Sequence, residues 1–271
     1  MISVMKVTSV VLGAALSLHS VGCSSVDSSE SGLSQQASPT SMDGKDKLKA
    51  GLDARFDFVA PEGFGEGEKK HPLAVFMLGM GTVGGLYSGF YNALVEDGYV
   101  VVFAKQFGTN FQRDAISAAI QTTFQSAGSH LNRQVFTMGH SQGGALALSA
   151  GGSSVDITNE NGEQETIAIA GVVGLMPGVD ITGLMQTPPP EVPVLIVQGE
   201  SDGMAGATSE MLYNGALAKY EAAEEANEND DQIYHEPQLK KVPGGHNFHF
   251  NPASKAPEET VNFLKTLATP E

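Results

Sequence analysis

Cysteine and basic residues are scarce in this sequence of 271 residues. Cys23 is the single cysteine, so the chain can form neither an intramolecular disulfide nor a metal site built on several thiolates. Lys and Arg number 15 against 31 Asp and Glu, which gives a formal net charge of −16. Phosphate backbones are bound by clusters of basic side chains, and the sequence has no such cluster. These shortages argue against a nucleic-acid partner.

The first 23 residues have the pattern of an export signal. Lys6 precedes an apolar stretch at 7–18, which has the length of a signal peptide and is too short to span a membrane. The stretch ends at Ser20-Val21-Gly22-Cys23, which resembles the lipobox of bacterial lipoproteins, with Ser20 in place of the usual aliphatic residue. The resemblance implies acylation of Cys23 and a lipid anchor, and Ser24 suits sorting to an outer membrane. Ordinary cleavage, which would leave a periplasmic or secreted protein, is the alternative.

The segment that follows the signal is polar. Residues 24–51 are rich in Ser, Gln and Asp and show no apolar periodicity. Such a composition buries too little apolar surface to become ordered, so we expect a flexible tether. Hydrophobic residues make up 41 % of the whole chain, and residues 52–271 are long enough for one domain with a large core.

Short apolar runs alternate with helical patterns along residues 52–271. Strands are predicted at 55–59, 73–78, 99–104, 134–138, 167–175, 192–198 and 238–242, and helices at 87–96, 111–125, 145–150, 208–226 and 258–267. Repeated alternation of this kind predicts a mostly parallel, twisted α/β sheet with helices on both faces. The polar stretches 153–166 and 226–236 are predicted to be surface insertions, and no segment is long enough for a large lid.

One motif points to nucleophilic catalysis. Gly139-His140-Ser141-Gln142-Gly143 follows an apolar strand and opens a helix of small residues. A serine hydroxyl becomes a nucleophile when it is exposed on a sharp strand-to-helix turn and a base takes its proton. Glycines two positions before and after the serine leave room for that turn. The motif predicts Ser141 as the nucleophile, against the alternative of a glycine-rich helix start.

On these residues the sequence resembles the α/β-hydrolases, in particular the branch of dienelactone hydrolases, chlorophyllases and cutinase-like polyester hydrolases. The resemblance covers about residues 72–267 and is strongest over 132–144, the strand and the turn after it. It implies the α/β-hydrolase fold, a Ser-His-acid triad and no metal or organic cofactor.

The acid of the triad is expected after the strand predicted at 192–198. In the family the acid follows this strand at an offset that selects Asp202. A carboxylate at such a strand end can accept the imidazole N–H and fix the tautomer of the base. Glu200 and Asp180 are the alternatives, and a turn or N-cap aspartate is the purely structural interpretation of Asp202.

The base is expected in the loop after the last predicted strand. The family's histidine occupies such a loop, often after glycine, which favours His246 in Gly244-Gly245-His246; His249 is the competitor. His140 lies inside the serine motif and is expected to face away from a useful geometry. The chain order Ser141, Asp202, His246 is the order that this fold uses.

Two backbone N–H groups are needed to stabilise the oxyanion. One is expected from Gln142, directly after the nucleophile, and the other from Met80 in the glycine-rich loop after the strand at 73–78. The position of Met80 follows from the family pattern, although Leu78 replaces the usual His or Pro.

The expected reaction is acyl transfer from a small-molecule or lipid-like ester. Polyester hydrolases of this branch commonly place tryptophan beside the active site, and this chain has none, which argues against aromatic polyesters. Four methionines near predicted strand ends hint at an adaptable apolar acyl pocket: Met77, Met80, Met176 and Met204. Short- to medium-chain carboxylic esters are therefore favoured. Amide, peptide or thioester hydrolysis on the same triad, and a non-catalytic surface-binding lipoprotein, are the alternatives.

Overall fold

A computed structural model of the chain describes residues 43–112, 114–178, 186–227, 232–248 and 253–267. The predicted signal peptide, Cys23 and the first part of the predicted tether lie outside the described residues. No helix in these ranges is long and apolar enough to cross a membrane.

Eight strands among the described residues form the sheet. Their bounds are β1 Phe56–Val59, β2 His71–Met77, β3 Val100–Ala104, β4 Leu131–His140, β5 Ser154–Thr158, β6 Gln164–Leu175, β7 Val194–Gly199 and β8 Gln238–Val242. The order is β1-β3-β2-β4-β6-β7-β8, with β5 paired to β6. Pairs β1–β3 and β5–β6 are antiparallel, and the other pairs are parallel. The predicted mostly parallel sheet is confirmed.

Six α-helices accompany these strands within the described ranges. They are α1 Gly44–Gly51, α2 Ser88–Glu96, α3 Ala115–Ala127, α4 Gln142–Ser149, α5 Gly206–Ala226 and α6 Ala256–Leu267. Every residue of β3 and of β7 is buried. Because successive side chains of a strand point to opposite faces, both faces of these strands are covered. This explains why β3 and β7 are continuous apolar runs in the sequence.

The tether predicted at 24–51 is wrong at its C-terminal end, because Gly44–Gly51 form helix α1. Asp43 caps the helix by accepting a hydrogen bond from the backbone N–H of Asp46 at 2.8 Å. Leu48 is fully buried in the main core, and α1 contacts α3. Since a single apolar side chain anchors the helix, no apolar periodicity marks it in the sequence, and the folded part begins before Leu52.

The polar stretch at 153–166, predicted to be a surface insertion, lies mostly at the surface but has a strand that was not predicted. Residues of this stretch form β5 and the start of β6, which pair as an antiparallel hairpin. Val155 and Ile157 are buried in the core, whereas Ser154 and Asp156 point to solvent. Two buried residues in strict alternation therefore specify a strand in a segment whose overall composition is polar.

Candidate active site

Ser141 occupies the turn between the end of β4 and the start of α4. Its backbone has φ 54° and ψ −123°, a conformation that residues other than glycine rarely adopt. A hydrogen bond from its N–H to the carbonyl of Leu175, at 2.9 Å, ties the turn to the end of β6. The strained turn exposes the hydroxyl at the carboxyl edge of the sheet, as a nucleophile requires.

The glycines of the motif are required by close backbone packing. A Cβ atom on Gly139 would lie 2.4 Å from the carbonyl oxygen of Gly143. A Cβ on Gly143 would lie 2.4 Å from the carbonyl oxygen of Met77, at the end of β2. Neither position can hold a larger side chain without moving the backbone, which is why the turn needs glycine on both sides of Ser141.

His246 lies in the loop after β8, and its imidazole bridges two side chains. Nε2 is 2.8 Å from the Oγ of Ser141, and Nδ1 is 3.0 Å from Oδ2 of Asp202. Only 11 % of the His246 side chain is exposed to solvent. Both imidazole nitrogens therefore have hydrogen-bond geometry to the residues that the sequence analysis paired with this histidine.

Asp202 is held by the backbone at the start of α5. Its side chain is fully buried, and Oδ1 accepts hydrogen bonds from the N–H groups of Met204 at 3.0 Å and Ala205 at 2.8 Å. These bonds leave Oδ2 for His246, so both carboxylate oxygens of a buried group are satisfied. The alternative acid Glu200 is exposed, and Asp180 and His249 lie outside the described residues.

A cavity of about 430 Å³ opens onto Ser141 and His246. Both expected oxyanion donors, Met80 and Gln142, line it, together with Met204. The side chains of Met80 and Met204 are exposed, whereas Met77 and Met176 are fully buried in the core. None of the described residues that line the cavity is Lys, Arg, Asp or Glu. The cavity thus offers an uncharged, partly apolar wall to a ligand.

Gly178 keeps open the space in front of the Gln142 amide. A Cβ atom at this position would lie 3.0 Å from the Oγ of Ser141 and 3.4 Å from the backbone nitrogen of Gln142. An oxyanion formed at Ser141 has to occupy this neighbourhood to receive the Gln142 N–H. The small residue after β6 is therefore part of the site's shape.

The sequence analysis predicts ester hydrolysis at Ser141, and on that prediction we expect Gly178→Ala to lower kcat/KM for esters by about 100-fold, because the added methyl group would intrude where the oxyanion is predicted to form. Steady-state ester hydrolysis measures the loss. Gly89→Ala on α2 is the control, since no atom lies within 4 Å of a Cβ built there. Full activity of Gly178→Ala would contradict this account of the space beside Ser141.

Several residues that support the site have no local sequence signal. The side-chain amide of Asn110 donates to the carbonyl of Leu78 at 2.7 Å, which holds the end of β2 where the Met80 loop begins. Thr82 closes the same loop by donating to the carbonyl of Gly79 at 2.6 Å. Asn110 is buried and lies 32 residues after Leu78 in the chain. Its role therefore becomes visible only in the folded structure.

His140 corrects an expectation of the sequence analysis. It was expected to face away from a useful geometry. Instead, the centroid of its ring lies 4.9 Å from the ring centroid of His246, and its Nε2 is 2.7 Å from the His246 carbonyl oxygen. The side chain is buried and forms part of the wall of the cavity.

Across the part of the chain that the structure describes, no group of three or more His, Cys, Asp or Glu is placed to hold a metal ion.

No protein-family model matches the sequence, and no curated protein matches it. Solved structures share its fold. A carboxylesterase from Lactobacillus plantarum WCFS1 has a TM-score of 0.55 at 13 % identity, over 80 % of this chain and 94 % of that one. A thermophilic esterase from Thermogutta terrifontis has a TM-score of 0.53 at 14 % identity, covering 80 % and 91 %. A truncated carbohydrate esterase from gut microbiota has a TM-score of 0.51 at 14 % identity, covering 78 % and 90 %. The predicted α/β-hydrolase fold is confirmed.

Proposed function

We propose that this protein is a serine hydrolase that cleaves carboxylic esters through an acyl-enzyme. Ser141 is the nucleophile, His246 the general base and Asp202 the acid that orients it. The observation that carries the proposal is the bridge made by His246, 2.8 Å from the hydroxyl of Ser141 and 3.0 Å from the carboxylate of Asp202. A strained nucleophile turn in an α/β-hydrolase fold supports the same assignment.

The reaction follows from the positions of these groups. Nε2 of His246 takes the proton of Ser141 as Oγ attacks the ester carbonyl carbon, and the carbonyl oxygen becomes an oxyanion. The backbone N–H groups of Gln142 and Met80 stabilise this oxyanion. When the tetrahedral intermediate collapses, the C–O bond breaks and His246 protonates the leaving alcohol. Water, activated by His246, then hydrolyses the acyl-enzyme and regenerates Ser141. No step requires a metal or a cofactor.

The favoured substrates are uncharged esters with short to medium acyl chains. Among the described residues that line the cavity none is acidic or basic apart from the histidines, and the formal net charge of −16 repels anionic substrates. Met80 and Met204 supply flexible apolar surface for an acyl chain. No Lys or Arg stands among these described residues to pair with a carboxylate or a phosphate.

Hydrolysis of p-nitrophenyl esters of increasing acyl length tests the proposal, beside matched p-nitroanilide and thioester substrates. We expect activity on the esters, with a maximum at short or medium chains. Preference for the anilide or the thioester would replace the ester assignment while keeping the triad. A folded protein that is inert on all three substrate classes would overturn the hydrolase proposal and favour a binding role.

We also propose that the protein is exported and acylated on Cys23, which anchors it to a membrane, most simply the outer membrane. The apolar stretch at 7–18 and the lipobox-like residues before Cys23 support this proposal. Metabolic labelling with an alkyne fatty acid should mark the wild-type protein and leave Cys23→Ala unlabelled, with Ser24→Ala as the labelled control. An unlabelled wild-type protein in the periplasm or the medium would show ordinary cleavage instead.

A further inference from the structure

His140 is a buried histidine that the proposed reaction does not use. It is the last residue of β4, directly before Ser141, and only 1 % of its surface is exposed. Both of its ring nitrogens lie within hydrogen-bond distance of groups from distant parts of the chain. Nε2 is 2.7 Å from the carbonyl oxygen of His246, and Nδ1 is 2.8 Å from the hydroxyl oxygen of Tyr87.

The partners of His140 fix where its proton lies. A backbone carbonyl can only accept a hydrogen bond, so Nε2 of His140 donates to the His246 carbonyl. In the neutral ring Nδ1 is then an acceptor, so Tyr87 donates its single hydroxyl proton to Nδ1 at 2.8 Å rather than to Oγ1 of Thr82 at 3.1 Å. Burial raises the pKa of Tyr87, so this hydroxyl keeps its proton at neutral pH.

The hydroxyl of Tyr87 also reaches the loop that carries Met80. The backbone N–H of Gly79 donates to the Tyr87 oxygen at 3.3 Å, and the hydroxyl of Thr82 lies 3.1 Å from the same oxygen. Gly79 has to be small here, because a Cβ would lie 2.5 Å from Nδ1 of His140 and 3.0 Å from the Tyr87 oxygen. The loop thus packs directly on the His140–Tyr87 pair.

We propose that His140 is a positioning residue that joins the base loop of His246 to the oxyanion loop at Gly79–Thr82, with Tyr87 as the connecting group. The inference rests on the proposed hydrolase function and adds to it. The ring of His140 packs against the rings of His246 at 4.9 Å and Phe248 at 5.2 Å, so the side chain touches the base loop at two points besides the hydrogen bond. His140 directly precedes Ser141 in the chain, so one buried ring is joined to the nucleophile and contacts both the base loop and, through Tyr87, the oxyanion loop.

Two amide replacements of His140 separate its hydrogen bond to the His246 carbonyl from its contact with Tyr87. In His140→Gln the terminal N–H₂ group sits at the ε position and can still donate to the His246 carbonyl. In His140→Asn the side chain ends at the δ position, so it can face Tyr87 but falls short of that carbonyl. We expect kcat of the Gln variant within about fivefold of wild type, and kcat of the Asn variant lower by about 10- to 100-fold, because a misplaced base slows the chemical step. KM should stay within about threefold for both, since both ring nitrogens of His140 hold loops in place and its ring forms only a small, buried part of the cavity wall.

Steady-state kinetics on one p-nitrophenyl ester, measured below the melting temperature of every variant, tests the positioning role of His140. Wild-type kcat for His140→Asn, or equal losses for the Asn and Gln variants, would overturn the inference, because then the hydrogen bond to the His246 carbonyl does not matter. If either variant is unfolded, Tyr87→Phe decides instead. It keeps the ring but not the hydroxyl, and kcat should fall about tenfold; an unchanged kcat would overturn the connection. An inactive wild-type enzyme would point to failure of the proposed function rather than of the positioning role.

Discussion

Replacing Ser141 with alanine is expected to lower kcat/KM for esters by roughly 10⁴- to 10⁶-fold, with little change in melting temperature. The hydroxyl is the only group on the strained turn that can form the acyl-enzyme, and His246 has nothing to deprotonate without it. The φ of 54° at this position is strained for any residue with a Cβ, and alanine keeps the same Cβ, so the fold is retained. Hydrolysis of a p-nitrophenyl ester, with calorimetry of both proteins, measures the two effects.

Ser149→Ala is the matched control for this prediction. Ser149 lies at the end of α4, the helix that begins directly after Ser141, and its hydroxyl donates to the carbonyl of Leu146 within that helix. This variant should keep wild-type activity. If Ser141→Ala retained more than about one hundredth of wild-type kcat/KM, a covalent role for Ser141 would be untenable, given the losses seen when such nucleophiles are removed.

Asp202→Asn is expected to lower kcat/KM by about 10³- to 10⁴-fold, although the substitution barely changes the shape of the side chain. The backbone around residue 202 explains why. Two N–H groups, of Met204 and Ala205, donate to Oδ1, so the asparagine oxygen has to occupy that position. The amide N–H₂ group then faces Nδ1 of His246 and donates to it. The imidazole is forced to carry its proton on Nε2, where it cannot accept the proton of Ser141.

The same ester assay checks this prediction, and Glu200→Gln is its control. Glu200 is the exposed carboxylate that the sequence left as an alternative acid, and its replacement should leave activity within about twofold. A large loss in Glu200→Gln with an active Asp202→Asn would exchange the roles of the two residues. The asparagine variant should also remain folded, because the two backbone hydrogen bonds at Oδ1 are preserved.

The sheet could be predicted where burial on both faces leaves a continuous apolar run. β2, β3 and β7 are of this kind, and their predicted ranges overlap the observed strands closely. β5 and the first residues of β6 could not be predicted by the same criterion, because only alternate residues of β5, Val155 and Ile157, are buried. The rest of β6 overlaps the strand predicted at 167–175. Helix α1 was missed for a related reason, since Leu48 alone reaches the core from a charged segment.

The three residues brought together at the site were predictable because each follows a strand of the same parallel sheet. Carboxyl ends of parallel strands meet at one edge, so Ser141 after β4, Asp202 after β7 and His246 after β8 converge there. His140 and Asn110 were not predictable. Their roles depend on contacts with Tyr87, His246 and Leu78 across long stretches of chain, which no local pattern encodes.

The central claim is that Ser141 is an activated nucleophile, and covalent labelling with a fluorophosphonate tests it most directly. Intact-mass measurement followed by peptide mapping should show one phosphonyl group per chain, located on Ser141. His246→Ala should be labelled far more slowly, because the hydroxyl then has no base. A folded wild-type protein that takes no label would contradict the account and leave a binding protein with an α/β-hydrolase fold. A label on another residue would contradict the assignment of Ser141 as the nucleophile.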